Sequence, residues 1–460
     1  MKAGRILLVK PAQLIGGNPM RFERALAPTR ALPYIAALTP PEFEVSIVDD
    51  SIEAIDFDAP VDLVGITSLL PQVPRVIQIA TEFRKRGVTV VAGGVGVSSV
   101  HEELIGHVDA LVLGEADTTW PILLNDFKQG RLQKIYRAEE FFSMNNMPLA
   151  RFDLLNQENF LKAKQAASGH GISRISVETS RGCPHNCAFC YSSLHFGRTL
   201  RFRPIPDVVN EVKKFPGSYI FFVDDNIGAQ PARAKELFRA LMPLNIRWVG
   251  QFSSLAAKDP ELLDLAAQSG CMNAFVGMES LSAESLASVD KSFNLSQGFG
   301  KTLGAFRKAG IDTHVSLVFG FDGDTSETID RTVDEMISQR VHLLYAFILT
   351  PLPGTQLHAQ MKEEGRILHS DYSLYDTFHC VFRPKHMSPE ELENKYWEAY
   401  GRFYSPVSIM RRFSDAHRWL GRQKQQAYSH NLLGNIYFRK FVKHRLHPLV
   451  GGMPKWDTVS

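Results

Sequence analysis

Between Arg5 and Leu113 short apolar runs alternate with polar, helix-patterned stretches. Arg5–Val9, Glu44–Val48, Asp62–Ile66, Val88–Val91 and Ala110–Leu113 are rich in branched residues and nearly continuous in apolar character. Such runs predict strands of a parallel sheet covered on both faces, hence a Rossmann-like α/β unit over residues 1–140. In the stretch Arg75–Arg86, Ile77, Ile79, Ala80 and Phe83 supply an apolar face, and Gly87 stops it. A polar run at 141–170, punctuated by Phe141, Phe142, Met147, Pro148 and Leu149, reads as an ordered linker whose aromatics need somewhere to pack.

From 171 to 365 the alternation is more regular. Predicted strands are Arg174–Val177, Tyr219–Val223, Trp248–Phe252, Ala274–Gly277, His314–Phe319 and Leu344–Leu349. Helical stretches between them include Val208–Phe215, Arg233–Met242 and Pro260–Ala267, with Pro206-Asp207 and Asp259-Pro260 as start signals. The remainder, 366–460, is patterned as helix. There Ser388-Pro389-Glu390-Glu391 has the form of a cap, followed by Tyr396, Trp397, Tyr400, Phe403 and Tyr404.

Length adds that 460 residues exceed what one core holds, so two or three domains are expected. No stretch has the unbroken apolar length of a membrane span, and Met1–Gly4 leads into a strand rather than a signal peptide. The net charge of +2 says little about partners, and nucleic acid is not an expected one. Charge is uneven, however: Arg411, Arg412, Arg418, Arg422, Lys424, Arg439, Lys440, Lys443 and Arg445 face a single acid, Asp415, with Phe413, Trp419, Tyr437, Phe438 and Phe441 interleaved. Two readings stay open for this segment: peripheral contact with the inner membrane surface or an anionic lipid-like substrate, and an ordinary pair of basic surface helices. Five cysteines, three of them clustered, argue against a disulfide framework and for a reducing, cytoplasmic compartment.

That cluster is the chemical centre of the sequence. Cys183, Cys187 and Cys190 follow the spacing C-x-x-x-C-x-x-C, with Phe189 before the last. Soft thiolates this close suit an iron-sulfur cluster or zinc. Both normally want four ligands, while Cys271 and Cys380 stand isolated and His185 would need a sharp fold-back. The economical reading is a cluster with one iron left for a non-protein ligand.

The pattern resembles that of the radical S-adenosylmethionine (SAM) enzymes. The resemblance implies a [4Fe-4S] cluster held by Cys183, Cys187 and Cys190, SAM on the open iron, and a partial (β/α)6 TIM-like barrel at 171–365. It further implies SAM contacts at the strand ends: Phe189 beside the cluster, Asp224 and Asp225 toward the amino group, Glu279 and Ser280 toward the ribose, Gly320 in a glycine turn, and Pro351 behind the adenine. Gln251, Arg201 and Arg203 are further candidates for substrate or carboxylate.

The first unit is similar to the cobalamin-binding domain of one class of these enzymes, on the strength of Ser68-Leu69-Leu70, Gly93-Gly94 and Gly114-Glu115 at its strand ends. Ser68, Leu70, Gly93, Gly94, Gly114 and Glu115 are thereby implied in binding cobalamin, without the D-x-H-x-x-G histidine that other cobalamin domains supply. The tail is similar to that of hopanoid and bacteriochlorophyll methylases, and its aromatic helix is expected to close the barrel mouth. The implied activity is methyl transfer to an unactivated carbon of a hydrophobic natural product or lipid, with an electron from a flavodoxin- or ferredoxin-like reductant. Rival readings are a radical cyclase or rearranging enzyme with the same domains, and a non-catalytic iron-sulfur or zinc protein that binds nucleic acid.

Overall fold

The computed structural model describes residues 4–25, 28–159, 174–296, 298–414, 422–447 and 452–454. Two six-stranded parallel sheets organise them. The first contains β1 (Gly4–Lys10), β2 (Phe43–Asp49), β3 (Leu63–Thr67), β4 (Thr89–Gly93), β5 (Ala110–Leu113) and β6 (Ile135–Arg137), in the order β2-β1-β3-β4-β5-β6. Apolar side chains alternate between its two faces. Leu7, Val9, Val64, Ile66 and Val90 meet the helix Val73–Lys85 on one, and Ile6, Leu8, Leu63 and Val91 meet Trp120, Leu123 and Leu124 of the helix Thr119–Lys128 on the other. Burial on both faces is why the strands read as continuous apolar runs. The strand order reverses between β1 and β3, which places a crevice beyond their carboxyl ends. Only β6 departs from expectation, because three residues are too few to show a period.

The second sheet contains β7 (Arg174–Val177), β8 (Tyr219–Phe222), β9 (Arg247–Phe252), β10 (Cys271–Glu279), β11 (Asp312–Phe319) and β12 (Leu343–Ile348), in sequential order and all parallel. Among the described residues β7 and β12 do not pair, so this is the expected open barrel.

The C-terminal helices Pro389–Phe403, Pro406–Arg412 and Arg422–Lys443 do not form the expected cover over the mouth. The aromatics that suggested a lid are used on the barrel's open edge, where Tyr396, Tyr400 and Tyr404 hydrogen-bond the β12 backbone. The longest helix meets the opposite end: Asn431 donates to Asn273 at 3.1 Å and to Asp312, which opens β11. Arg412, counted above with the basic surface, is fully buried and donates to the carbonyls of Val341, His342 and Phe403. Phe413, Phe438 and Phe441 are buried as well. Of that basic segment, Asp415, Arg418 and Trp419 lie outside the described residues, as do the side chains of Arg422 and Lys424. No helix among the described residues is long and apolar enough to cross a membrane.

Near the mouth it is the strap 366–388 that crosses between the sheets. Its Thr377 carbonyl accepts from Ile348 N–H at 2.6 Å, while Tyr375 and Val381 pack into the core of the first sheet.

Candidate functional site

β7 ends at Val177, and the chain leaves it through Glu178-Thr179 into a two-residue ribbon, Ser180–Arg181 paired with Arg201–Phe202. The cysteine loop is the segment enclosed by that ribbon, so its base is fixed on both sides. Asp224, beyond β8, holds the entry strand: its carboxylate accepts from the Thr179 N–H (3.1 Å), the Thr179 hydroxyl (2.7 Å) and the Ser180 hydroxyl (2.5 Å). Burial pushes this carboxyl up to about 6 although those donors pull it down. Asp224, expected to meet an ammonium group, is therefore taken up by the loop's base. Its neighbour Asp225 is the one that faces the cysteines. It accepts from Ser192 at 2.6 Å and acts electrostatically on Cys183.

Cys183, Cys187 and Cys190 are free thiols of intermediate exposure. Burial pushes Cys183 up and Cys187 to about 11, and each of the two also feels Cys190. Among the described residues no three His, Cys, Asp or Glu side chains converge on one ion. A mononuclear zinc site needs such convergence, whereas a cube with three protein-held corners binds each thiolate to a different iron. His185, the one possible fourth zinc ligand on the loop, instead stacks on Phe293 at 4.3 Å. Three cysteines on one loop, with His185 engaged elsewhere, fit a cube with three protein-held corners. Cys271 and Cys380 are buried elsewhere, with the Cys380 thiol turned to the Phe382 carbonyl at 3.2 Å.

Over the loop lies a cation that sequence reading missed. Lys291 Nζ sits 5.8 Å from the centre of the Phe189 ring and 2.5 Å from Glu279 Oε1. The second Glu279 oxygen accepts from Ser316 at 3.1 Å. Glu279, expected to grip a ribose, has both oxygens engaged, and it borders a groove together with Ser280, Asp324 and Thr328. Gly320 (φ +102°) is a close-packing glycine, because a Cβ there would fall 2.7 Å from Leu392. Pro351 is buried at the end of the sixth barrel strand. Gln251 lies on β9, where its carbonyl accepts from Ile227 at 2.9 Å. Arg203 is buried against Glu211, away from the loop.

The two sheets meet at a cavity of about 350 Å³. Gly65, Thr67, Gly93, Gly94 and Gly114 border it from the first sheet's strand ends, and Ser180, Arg181, His195 and Asp225 from the barrel. Three glycines explain its shape. A Cβ at Gly94 (φ +95°) would fall 2.7 Å from Thr67 Oγ1, one at Gly93 3.2 Å from the Val112 carbonyl, and one at Gly114 (φ +78°) would enter open space. Three buried polar atoms at this junction have no partner among the described residues, Ser68 Oγ, Arg30 Nε and Arg201 Nε, as expected where a ligand supplies one. The volume suits a nucleotide-sized arm, with the exposed Leu69 beside it at the strand ends. A corrinoid's nucleotide arm thus fits this cradle. Leu70 does not belong to it, being buried in the core with Val73 and Val76.

Glu115 lines the same cavity. Its carboxylate accepts from Arg181 (3.1 Å), Arg201 (2.8 Å) and the Phe142 N–H (2.9 Å), while Arg181 reaches Asp117 at 2.7 Å. Burial would push Glu115 up, but the two guanidiniums outweigh it and hold the carboxyl below its usual range. These ion pairs lock the first sheet's strand end to the base of the cysteine loop, so Arg201 is unavailable to substrate. His195 lines the cavity wall, and burial pulls its imidazole down to about 4.

Residues 177–336 match the model of the radical SAM superfamily, and 355–448 match a domain of unknown function, DUF4070. Two curated relatives are methyltransferases of Chlorobaculum tepidum. The bacteriochlorophyllide d C-8(2)-methyltransferase is 29% identical over 395 residues, 83% of this chain and 86% of the relative. The C-12(1)-methyltransferase is 28% identical over 419 residues, 89% and 88% respectively. A solved structure with the same fold is the radical SAM methyltransferase TsrM of Kitasatospora setae, with cobalamin and a [4Fe-4S] cluster bound. It aligns with TM-score 0.64 over 96% of this chain and 99% of that one, at 18% identity.

Proposed function

From the premise that this chain is a radical SAM enzyme, we propose that it is a cobalamin-dependent methyltransferase acting on an unactivated carbon of a hydrophobic natural product or lipid. The observation that carries this reading is the placement of the three-cysteine loop and a glycine-lined cavity on either side of one junction. Both Chlorobaculum relatives are named for methyl transfer to a bacteriochlorophyllide, which supports a large apolar acceptor. When bound, the cluster with SAM would supply a carbon-centred radical and the corrinoid a transferable methyl group.

The chain's own residues divide the remaining work. Cys183, Cys187 and Cys190 hold the cluster, and the ribbon Ser180–Arg181 with Asp224 fixes the loop's entry. Gly93, Gly94 and Gly114 leave room for the corrinoid, with Thr67 and Ser68 at its edge. The Arg181, Glu115 and Asp117 ion pairs keep the loop in register with that cavity. A one-electron donor of flavodoxin or ferredoxin type completes the system, and the division into units at 1–140, 141–170, 171–365 and 366–460 belongs to the same proposal.

The test is to purify the protein from corrinoid-fed cells, reconstitute it anaerobically, and supply methyl-labelled SAM, reductant and apolar extracts. Stoichiometric corrinoid and label in an apolar product are expected. Turnover by corrinoid-free protein would overturn the cobalamin part, and unlabelled product the methyl transfer.

A further inference from the structure

Lys291 is an isolated residue in sequence, but its surroundings are built for it. The backbone of Glu279, its partner, is held at φ +62°, a conformation that side-chain-bearing residues rarely adopt. Two positions earlier, Gly277 leaves the pair its space, because a Cβ there would fall 2.4 Å from Glu279 Oε1 and 3.1 Å from Lys291 Nζ and displace them. Ser316 pins the other carboxylate oxygen. A left-handed residue, a glycine that leaves room and a hydroxyl from the adjacent strand thus hold one ammonium group above Phe189, with its side chain only 12% exposed.

Phe189 lies between Cys187 and Cys190 in sequence, so the ammonium held over its ring stands at the cysteine loop. A cube held by three thiolates becomes more negative when it accepts an electron. A fixed cation within a poorly screened loop stabilises that state, since cluster potentials follow local charge and burial.

We propose that Lys291, positioned by Glu279, raises the reduction potential of the cluster held by Cys183, Cys187 and Cys190, easing entry of an electron from a low-potential one-electron donor. Lys291 is then a positioning residue that acts through the cluster. The inference rests on the reading that these cysteines bind a cluster, and the experiment separates the two.

Wild type, K291M, K291R and E279Q are reconstituted anaerobically without SAM and titrated with dithionite while the reduced cluster is followed by EPR. Leaving SAM out keeps the measured couple that of the cluster and its protein surroundings. K291M is expected to weaken reduction at least tenfold, a shift of about 59 mV to lower potential for a one-electron couple. K291R is expected to stay near wild type, and E279Q, which leaves the ammonium uncompensated, to move the other way. An unchanged potential in a K291M protein of full iron content overturns the inference. If K291M does not hold a cluster, E279Q decides, and an unshifted potential there overturns it equally. A wild-type protein that assembles no cluster overturns the reading beneath it.

Discussion

The Tyr404 hydroxyl accepts a hydrogen bond from the Leu344 N–H at 3.1 Å and donates one to the Leu344 carbonyl at 2.8 Å. Tyr400 repeats the arrangement on Ala346, at 2.7 and 3.0 Å. Four residues along a helix and two along a strand each advance roughly 6 to 7 Å, so tyrosines spaced by four match alternate strand residues. The phenols occupy the positions of a missing neighbour strand and seal the barrel's open edge. Tyr404→Phe removes both bonds from a buried N–H and C=O and should cost about 1–3 kcal/mol, read from denaturant midpoints at constant m. Tyr400→Phe with Tyr404→Phe should also increase aggregation.

Arg181 stands between three carboxylates, Glu115, Asp117 and Glu178, with 7% of its side chain exposed. Burial alone would lower its guanidinium, but Glu178 and Asp117 outweigh that and hold it charged. Arg181→Met leaves Asp117 buried with an uncompensated charge and Glu115 with Arg201 alone, and should cost about 3–5 kcal/mol in urea unfolding. A loss under about 1 kcal/mol would mean that the two sheets are not held together here.

Asp224 and Asp324 are each pushed up to about 6 by burial, from an ordinary 3.8. Between about pH 4 and 6 the folded chain keeps protons that the unfolded chain has released. Their contribution to stability is therefore full below about 3.8 and is lost as pH rises through about 6. Urea midpoints should fall across that window, and Asp324→Asn should flatten the fall. A midpoint that rises equally steeply in wild type and variant would contradict this.

Gly114→Val tests the cavity. The substitution strains a left-handed residue, costing about 1–2 kcal/mol, and points a side chain into the space assigned to the corrinoid. Purified protein should retain its fold by circular dichroism but lose bound corrinoid by absorbance.

Which of these features the sequence announced follows from the range over which each is encoded. Strands such as Ala110–Leu113 and Arg174–Val177 were legible to the residue because burial on both faces leaves a local apolar run. The three cysteines were legible because their spacing is itself the signal. Glu115 and Arg181 are 66 residues apart, and nothing near either shows that their charges neutralise each other. A carboxylate at a strand end has the same sequence signature whether it meets a ligand or, like Asp224 and Glu279, a neighbouring side chain. Lys291 left no local trace, because its place over Phe189 and against Glu279 is set by the fold.

The central claim is that three thiolates hold a cube whose remaining iron takes SAM. EPR of anaerobically reconstituted, dithionite-reduced protein, recorded with and without SAM, tests it most directly. The account predicts a reduced [4Fe-4S] signal that changes when SAM is added and is lost in Cys183→Ser, Cys187→Ser and Cys190→Ser alike. No such signal, or one that is indifferent to SAM and survives those substitutions, would contradict it.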